Sequence, residues 1–344
     1  MQANEIFFDS LYLAFVIFLG LRMFLIKDKD RIILASMTLL LGLGDSFHLV
    51  PRIISNVENN GFYINSNALF LGTRISAVTM TIFYILFFYY IRKDYKKSFF
   101  DVFMPLLFLL RLVGVIISFN KSFTIDLLSN IPFVLMGLID IYLLYKNREK
   151  EKFKNLYLYV FLSFLFYVPV VLLKKNYPLI GSLMIPKTVM YILIVIKLYK
   201  NLREDFQKED IFEFAISYLF MGIFAGAIYR ELGKIYPLDN LMGLVHTHLI
   251  VLGFILLSLV YLFIRNLSVD MKNLKKTMLL YNFGLYFTCS SLFLHGLVNP
   301  YNLASFIKII LIVISGIGHI LLTISLVILF VKILDSLKMQ KISA

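Results

Sequence analysis

Residues 241–264 read LMGLVHTHLIVLGFILLSLVYLFI, a stretch that contains no Asp, Glu, Lys or Arg. An α-helix rises about 1.5 Å per residue, so a helix of this length crosses a hydrocarbon core of about 30 Å. A buried strand would be far shorter, and a soluble core helix rarely needs so long a run without charge. The stretch therefore predicts a transmembrane helix, and it places two histidines, His246 and His248, inside the bilayer.

The same pattern recurs along the 344-residue chain, of which 60% is hydrophobic and 16% is charged. Soluble domains are about 45–50% apolar and about 25% charged, so an ordinary soluble enzyme, a disordered chain and a fibrous protein are excluded. Because Glu5 and no Lys or Arg precede the first apolar run, we expect that run to be retained and not cleaved as a signal peptide. We predict an all-α, polytopic integral membrane protein with about eleven transmembrane helices, at residues 6–26, 32–51, 68–91, 99–118, 124–145, 155–173, 179–199, 211–229, 241–264, 278–298 and 305–331.

The basic residues are divided unequally between the two sets of loops that join these spans. Loops on one side hold 23 of the 34 Lys and Arg residues, and loops on the other side hold seven. The positive-inside rule then places the N-terminus outside and the C-terminus in the cytoplasm of a bacterial cell, in its plasma membrane. Short, scattered loop charges account for most of the net charge of +13, so we expect a lipid bilayer and no nucleic acid as partner.

A polar stretch in the middle of the chain, KNLREDFQKEDIF at residues 200–212, joins seven spans to four. It predicts two modules, a seven-helix membrane module at 1–205 and a four-helix module with histidines at 206–344. No P-loop, Rossmann glycine pattern, GxSxG or HExxH occurs, and the single cysteine, Cys289, excludes an internal disulfide. We therefore expect a binding or sensing protein in preference to an enzyme.

Six ionisable residues of the first module fall in the predicted outer half of the membrane. A charge near mid-membrane costs at least about 2.5–3.5 kcal/mol on insertion scales, so each needs a partner or a cavity. One interpretation is an outward-facing cavity whose excess positive charge binds a small anion. The other is a structural network in which the aspartate pairs with one arginine and the remaining cations reach the interface. The six residues are Asp45, His48, Arg52, Arg74, Arg111 and Lys187.

Two further charges lie nearer the predicted cytoplasmic side. Arg22 is close to the end of the first span, and we expect its side chain to snorkel to the interface. Asp140 lies deep in the fifth span, where we expect a local hydrogen bond or ion pair.

Four of the five histidines fall in the last four spans. The rings of an HxH pair point about 200° apart, since each helical residue turns about 100°, so His246 and His248 serve opposite faces. His248 and His319 each lie near the middle of their predicted spans, and this similar depth in the membrane favours them as partners. His246 would then face His295 or the outer interface. Neutral histidine is a common ligand for haem iron, copper and zinc. We predict haem b or a transition metal between the ninth and eleventh spans, with His246 as a further candidate ligand; the alternative is histidines that only hydrogen-bond within the core.

The second module resembles a four-helix bacterial membrane family that is known only as a domain of unknown function. The resemblance is carried by YRELGK at 229–234, LVHTHLIVLGF at 244–254, YNFGL at 281–285 and GIGHILLTISLVILF at 316–330. It implies that His246, His248 and His319 recur in the family, and it does not extend to His295. The HTH segment also resembles the HxH helix of haem–copper oxidase catalytic subunits, but the other oxidase histidine signatures are missing, so oxidase chemistry is not implied.

The first module resembles an uncharacterised Firmicutes-type seven-helix membrane protein through GDSFHLVPRI, GTRISAVTMTIFY, NIPFVLMG, FLFYVPVVL and MIPKTVMYILI. Neither resemblance brings an activity. Our first hypothesis is a redox or sensing protein that binds haem or a metal, and our second is a transporter or receptor for a small anion. The third is a lipid-modifying enzyme with His48 and Asp45 as acid–base groups, and it ranks last because the sequence offers no convincing nucleophile.

Overall fold

A computed structural model describes residues 2–93, 98–120, 123–173, 176–202, 206–267, 269–300 and 305–343. Within these ranges the secondary structure is helical, with no strand, and eleven helices are long and apolar enough to cross a membrane. The predicted all-α polytopic membrane fold and the number of spans are therefore confirmed. The spans are Phe8–Leu25, Arg31–Asn56, Ser66–Arg92, Phe100–Ile117, Thr124–Lys146, Glu151–Leu173, Leu179–Leu202, Glu209–Leu232, Asn240–Ile264, Met271–Val298 and Lys308–Lys338.

Most spans are formed by a single α-helix. Because their apolar residues surround the helix, the lipid-facing and protein-facing sides differ little in composition, as expected for membrane helices. The membrane's identity and the orientation of the termini stay predictions. The helices are α1 Gln2–Leu25, α2 Arg31–Val57, α3 Gly61–Ile64, α4 Ser66–Arg92, α5 Phe100–Ile117, α6 Phe123–Lys146, α7 Leu156–Leu173, α8 Met184–Leu202, α9 Glu209–Leu232, α10 Asn240–His248, α11 Leu257–Ile264, α12 Met271–Val298 and α13 Ser305–Ser343.

The chain packs as two compact units. The N-terminal unit consists of Phe15–Ile53 and Phe62–Arg203, and the C-terminal unit consists of Met1–Ala14, Ile54–Gly61 and Glu204–Ala344. The division into modules at 205/206 stays a prediction.

The N-terminal unit is built around aromatic side chains. Tyr84 of α4 packs edge-on against Phe133 of α6, with ring centroids 5.2 Å apart, and it meets Phe164 of α7 at the same distance. Phe83 lies edge-on to Tyr191 of α8, at 6.1 Å. Edge-to-face pairs of this kind add about 0.5–1.5 kcal/mol each beyond the area they bury. They fix the depth at which polar residues of α4, α6 and α8 face one another.

In the C-terminal unit α12 packs against both α10 and α13, and α9 packs against the whole ninth span. Glycines set the closest approach of α12 and α13: a Cβ at Gly318 would lie 2.5 Å from Thr288 Oγ1, and one at Gly284 would lie 2.7 Å from the backbone nitrogen of Leu322. Small residues let membrane helices approach closely, where packing replaces the hydrophobic effect as the source of stability.

The ninth span is not a uniform helix. α10 ends at His248, a π-helix runs from Leu249 to Leu256, and α11 completes the span. A π-helix bonds residue i to i+5, and such segments are rare and often lie at functional sites. The segment begins directly after the second histidine of the HxH pair, so it sets how that histidine is placed relative to the remainder of the span.

Candidate functional site

His248 at the end of α10 and His319 in α13 face each other. Their ring centroids are 6.3 Å apart and their planes are perpendicular. The two residues lie 71 positions apart in the chain, and their helices both pack on α12. The pairing that depth predicted in the sequence is the pairing that the structure brings together.

Each imidazole of this pair is oriented by its own helix. Nδ1 of His248 lies 2.9 Å from the carbonyl oxygen of Leu244, and Nδ1 of His319 lies 2.8 Å from that of Ser315. A carbonyl oxygen can only accept, so Nδ1 carries a proton in both rings, and in a neutral imidazole of this tautomer Nε2 is the nitrogen with the lone pair. Donation of one ring nitrogen to a backbone carbonyl is the usual support of a metal-ligating histidine.

The surroundings of the pair are open and apolar. His319 is exposed and His248 is half-buried, and a Cβ at Gly316 would meet no heavy atom within 4 Å. Ile312 and Ile320, which flank His319 along α13, are 59% and 60% exposed. The exposed surface around His319 is therefore apolar, as is usual for a helix that crosses a membrane.

His246 lies on a different side of α10. A Cβ at Gly226 of α9 would stand 3.7 Å from the Cβ and Cγ of His246, so the imidazole packs toward α9. That neighbour was not among those we expected, which were His295 and the outer interface. Nδ1 of His246 is buried and has no hydrogen-bond partner among the described residues. The two rings of the HxH pair therefore serve separate faces, as the helical turn of about 100° per residue predicts.

In the N-terminal unit Arg74 of α4 takes Asp126 of α6 as its partner. The pair is bidentate, with Nη1 on Oδ1 and Nη2 on Oδ2, the latter at 2.6 Å. Asp126 was not among the residues predicted from the sequence, because it lies in the first turn of its helix, where acidic residues are common without any further role. The available signal was its spacing from Ser129 and Asn130, which puts all three on one face. Asp126 lowers the excess positive charge that favoured an anion.

Arg111 of α5 is 4% exposed, and its Nη1 donates to Ser129 Oγ at 2.7 Å. Its guanidinium also stands 5.3 Å from the centre of the Phe133 ring. Lys187 of α8 has a similar environment, with Nζ 5.1 Å from the ring centre of Tyr167 and 5.2 Å from that of Tyr191. Both cations are thus stabilised in part by aromatic faces, an interaction that is strongest when desolvated.

Asp45 and His48 of α2 meet at Ser76 of α4. Ser76 Oγ is 2.9 Å from Asp45 Oδ1 and 2.9 Å from His48 Nδ1. The serine donates to the carboxylate and accepts from the imidazole, whereas a hydrolase triad needs a histidine that accepts from the serine. The group therefore has the pattern of a polar network. Arg52 lies one turn beyond His48 and is half-buried.

Two expectations about the remaining charges are wrong. Arg22 does not snorkel: it is 1% exposed and its guanidinium lies 5.5 Å from the ring centre of Tyr199. Asp140 is fully buried, and neither carboxyl oxygen has a hydrogen-bond partner among the described residues, so the local bond that we expected is missing. Nowhere in the described ranges do three or more His, Cys, Asp or Glu residues converge, and the predicted haem or metal stays a prediction.

Comparison with known proteins bears on the C-terminal unit. Residues 208–336 match the family described as Protein of unknown function (DUF2871). The match to DUF2871 runs from the polar stretch before α9 into α13, and it contains His246, His248 and His319. The predicted resemblance of this part of the chain to a domain of unknown function is confirmed, while the resemblance of the first module stays a prediction. Neither a curated protein nor a solved structure matches the chain.

Proposed function

We propose that this membrane protein binds a b-type haem in its C-terminal unit, with His248 and His319 as the two axial ligands, and that it serves in electron transfer or redox sensing. The single observation that carries the proposal is the spacing of the two rings. If Nε2 of each ring pointed at one metal ion about 2 Å away, the two ring centres would lie on the order of 6 Å apart. The observed separation of their centroids is 6.3 Å.

The perpendicular ring planes are compatible with this ligation. Rotation about an iron–nitrogen bond changes the angle between the planes and leaves the axial distance unchanged. The hydrogen bonds of the two histidines also suit ligation of iron. Nδ1 of each ring is held by a backbone carbonyl, and Nε2 is the nitrogen that would bind the iron.

The number of ligands favours haem over a bare metal ion. A structural zinc site takes four protein ligands, and no cluster of even three candidate groups occurs among the described residues. A porphyrin brings four equatorial nitrogens of its own and needs only axial ligands from the protein. The exposed isoleucines around His319 suit a largely apolar macrocycle.

An absorption spectrum of protein purified from haem-replete cells tests the proposal. We expect a Soret band and one haem per chain, with the band lost in His248→Ala and in His319→Ala. His246→Ala is the matched control, since it removes the same group from the same helix on another face, and it should keep most of the haem. A wild-type protein without haem would refute the proposal, and stoichiometric copper in its place would assign the same two nitrogens to a metal ion.

A second candidate function rests on Arg111, a buried cation whose hydrogen-bond partner is the neutral hydroxyl of Ser129. We infer that a small anion would complete its coordination, which corresponds to a transporter or receptor. Phosphate or a short carboxylate should then raise the melting temperature of the wild type and leave that of Arg111→Ala unchanged.

A further inference from the structure

Asp140 is a buried ionisable group of the N-terminal unit. It lies in α6 within a span, it is fully buried, and both of its oxygens are without a hydrogen-bond partner in the described part of the chain. An isolated carboxylate in an apolar interior is far less stable than the neutral acid, so this side chain holds its proton. Ionisable residues within membrane spans are rare and commonly mark ion or proton pathways.

The hydroxyl groups of Tyr84 and Tyr191 are in contact, and Tyr84 is the one that interacts with Asp140. Tyr84 of α4 lies within electrostatic reach of Asp140, and its hydroxyl is 3.1 Å from that of Tyr191 on α8. The two side chains are 0% and 3% exposed. A tyrosine hydroxyl can accept one proton while it donates another, so the pair can pass a proton between α4 and α8.

Lys187 extends this series of polar groups toward the N-terminal end of α8. Lys187 stands one helical turn from Tyr191, with its ammonium 5.2 Å from the centre of that ring, and it lies within electrostatic reach of Asp45. Asp45 in turn shares Ser76 with His48. Carboxylate, imidazole, ammonium and phenol groups thus follow one another through the unit.

These groups extend along the helices that cross the membrane. Eight residues separate Ser76, which contacts both Asp45 and His48, from Tyr84 along α4, which corresponds to about 12 Å. Six residues then separate Asp140 from Lys146, the last residue of α6.

We propose that His48, Asp45, Lys187, Tyr191, Tyr84 and Asp140, in that order, form a proton relay through the N-terminal unit, with Asp140 as the residue that holds the transported proton. Each step moves one proton from a donor to a neighbouring lone pair, with side-chain rotation or a water molecule closing the wider gaps, and no electron is transferred. The membrane potential or a pH difference drives the movement. The relay uses none of the residues assigned to haem.

Proton flux into vesicles tests the relay. The full chain is reconstituted in liposomes that contain a pH-sensitive dye, and a potassium diffusion potential is imposed with valinomycin. We expect faster proton entry than in protein-free vesicles, reduced to the protein-free rate by Asp140→Asn and slowed by Tyr84→Phe and Tyr191→Phe. Tyr142→Phe is the matched control, because Tyr142 lies on α6 two residues from Asp140 and is 51% exposed; it should conduct like the wild type.

Infrared spectroscopy supplies an independent measurement. A protonated Asp140 gives a carboxylic-acid C=O band that Asp140→Asn removes, and melting curves establish that the variant is folded. Wild-type flux at the protein-free rate, or equal flux in the wild type and Asp140→Asn, would overturn the relay in favour of a purely structural polar network. A spectrum unchanged by Asp140→Asn would overturn the assignment of the proton to this residue.

Discussion

Asp126 holds the guanidinium of Arg74 with both carboxylate oxygens, joining α6 to α4 inside the N-terminal unit. The side chains are 33% and 13% exposed, so the pair is neither a solvated surface bridge nor fully buried. Removing one partner of such a pair leaves the other charge poorly compensated. We expect Asp126→Asn to lower the free energy of unfolding by about 1–3 kcal/mol.

The measurement is equilibrium unfolding in detergent. A double replacement, Arg74→Met with Asp126→Leu, should recover much of the loss, because it leaves no charge behind. An unchanged unfolding free energy in Asp126→Asn would mean that Arg74 is fully hydrated in the membrane-inserted protein.

Asp239 should make part of the C-terminal unit's stability depend on pH. Its side chain caps α10 by accepting from the backbone N–H of Leu241, and it also accepts from the side chain of Asn299. These bonds lower the pKa of Asp239 below its ordinary value of 3.8. A carboxyl whose pKa is lowered in the folded state contributes stability at pH values above its unfolded-state pKa. That contribution is lost as the pH falls through the folded-state pKa.

Two variants of Asp239 separate the stability that comes from capping α10 from the stability that depends on the charge of the carboxylate. Asp239→Ala should cost about 0.5–2 kcal/mol near neutral pH, as loss of a helix cap does. Asp239→Asn keeps an acceptor oxygen without a titrating group, so its stability should be less sensitive to pH below about 4 than that of the wild type. Parallel acid-unfolding curves for the wild type and Asp239→Asn would contradict this assignment.

Gly318 and Gly316 should differ sharply in their tolerance of alanine. A Cβ at Gly318 meets the backbone nitrogen of Thr288 at 2.7 Å, whereas one at Gly316 meets nothing within 4 Å. We expect Gly318→Ala to cost about 1–3 kcal/mol by overpacking α12 against α13, and Gly316→Ala to cost much less. Melting temperatures of the two variants provide the comparison, and equal values would show that α13 can move away from α12 at little cost.

The proposed ligation of haem by His248 and His319 predicts how the protein should respond to carbon monoxide. With both axial positions filled, carbon monoxide should change the spectrum of the reduced wild-type protein little. His248→Gly, which opens one position while His319 remains, should bind carbon monoxide readily if it retains haem. Strong carbon monoxide binding by the wild type would indicate that only one of the two imidazoles is a ligand.

The eleven spans could be predicted because the length and apolarity of a membrane helix are local properties of the sequence. The opposite faces of His246 and His248 followed from helix geometry alone. Which helices meet is a long-range property: Arg74 and Asp126 are 52 residues apart, and neither residue type specifies the other. The π-helix that follows His248 has no compositional signature, so the sequence offered no sign of it.

The position of His319 on an exposed, apolar face of α13 has a consequence for the proposed haem: it sets the route by which that ligand would arrive. A ligand of the proposed site would reach these imidazoles from the acyl chains, where a hydrophobic solute is concentrated. Occupancy is then governed by the ligand's concentration in the lipid phase. Protein stripped of ligand should refill from loaded vesicles, and the choice of detergent during purification decides how much ligand is retained.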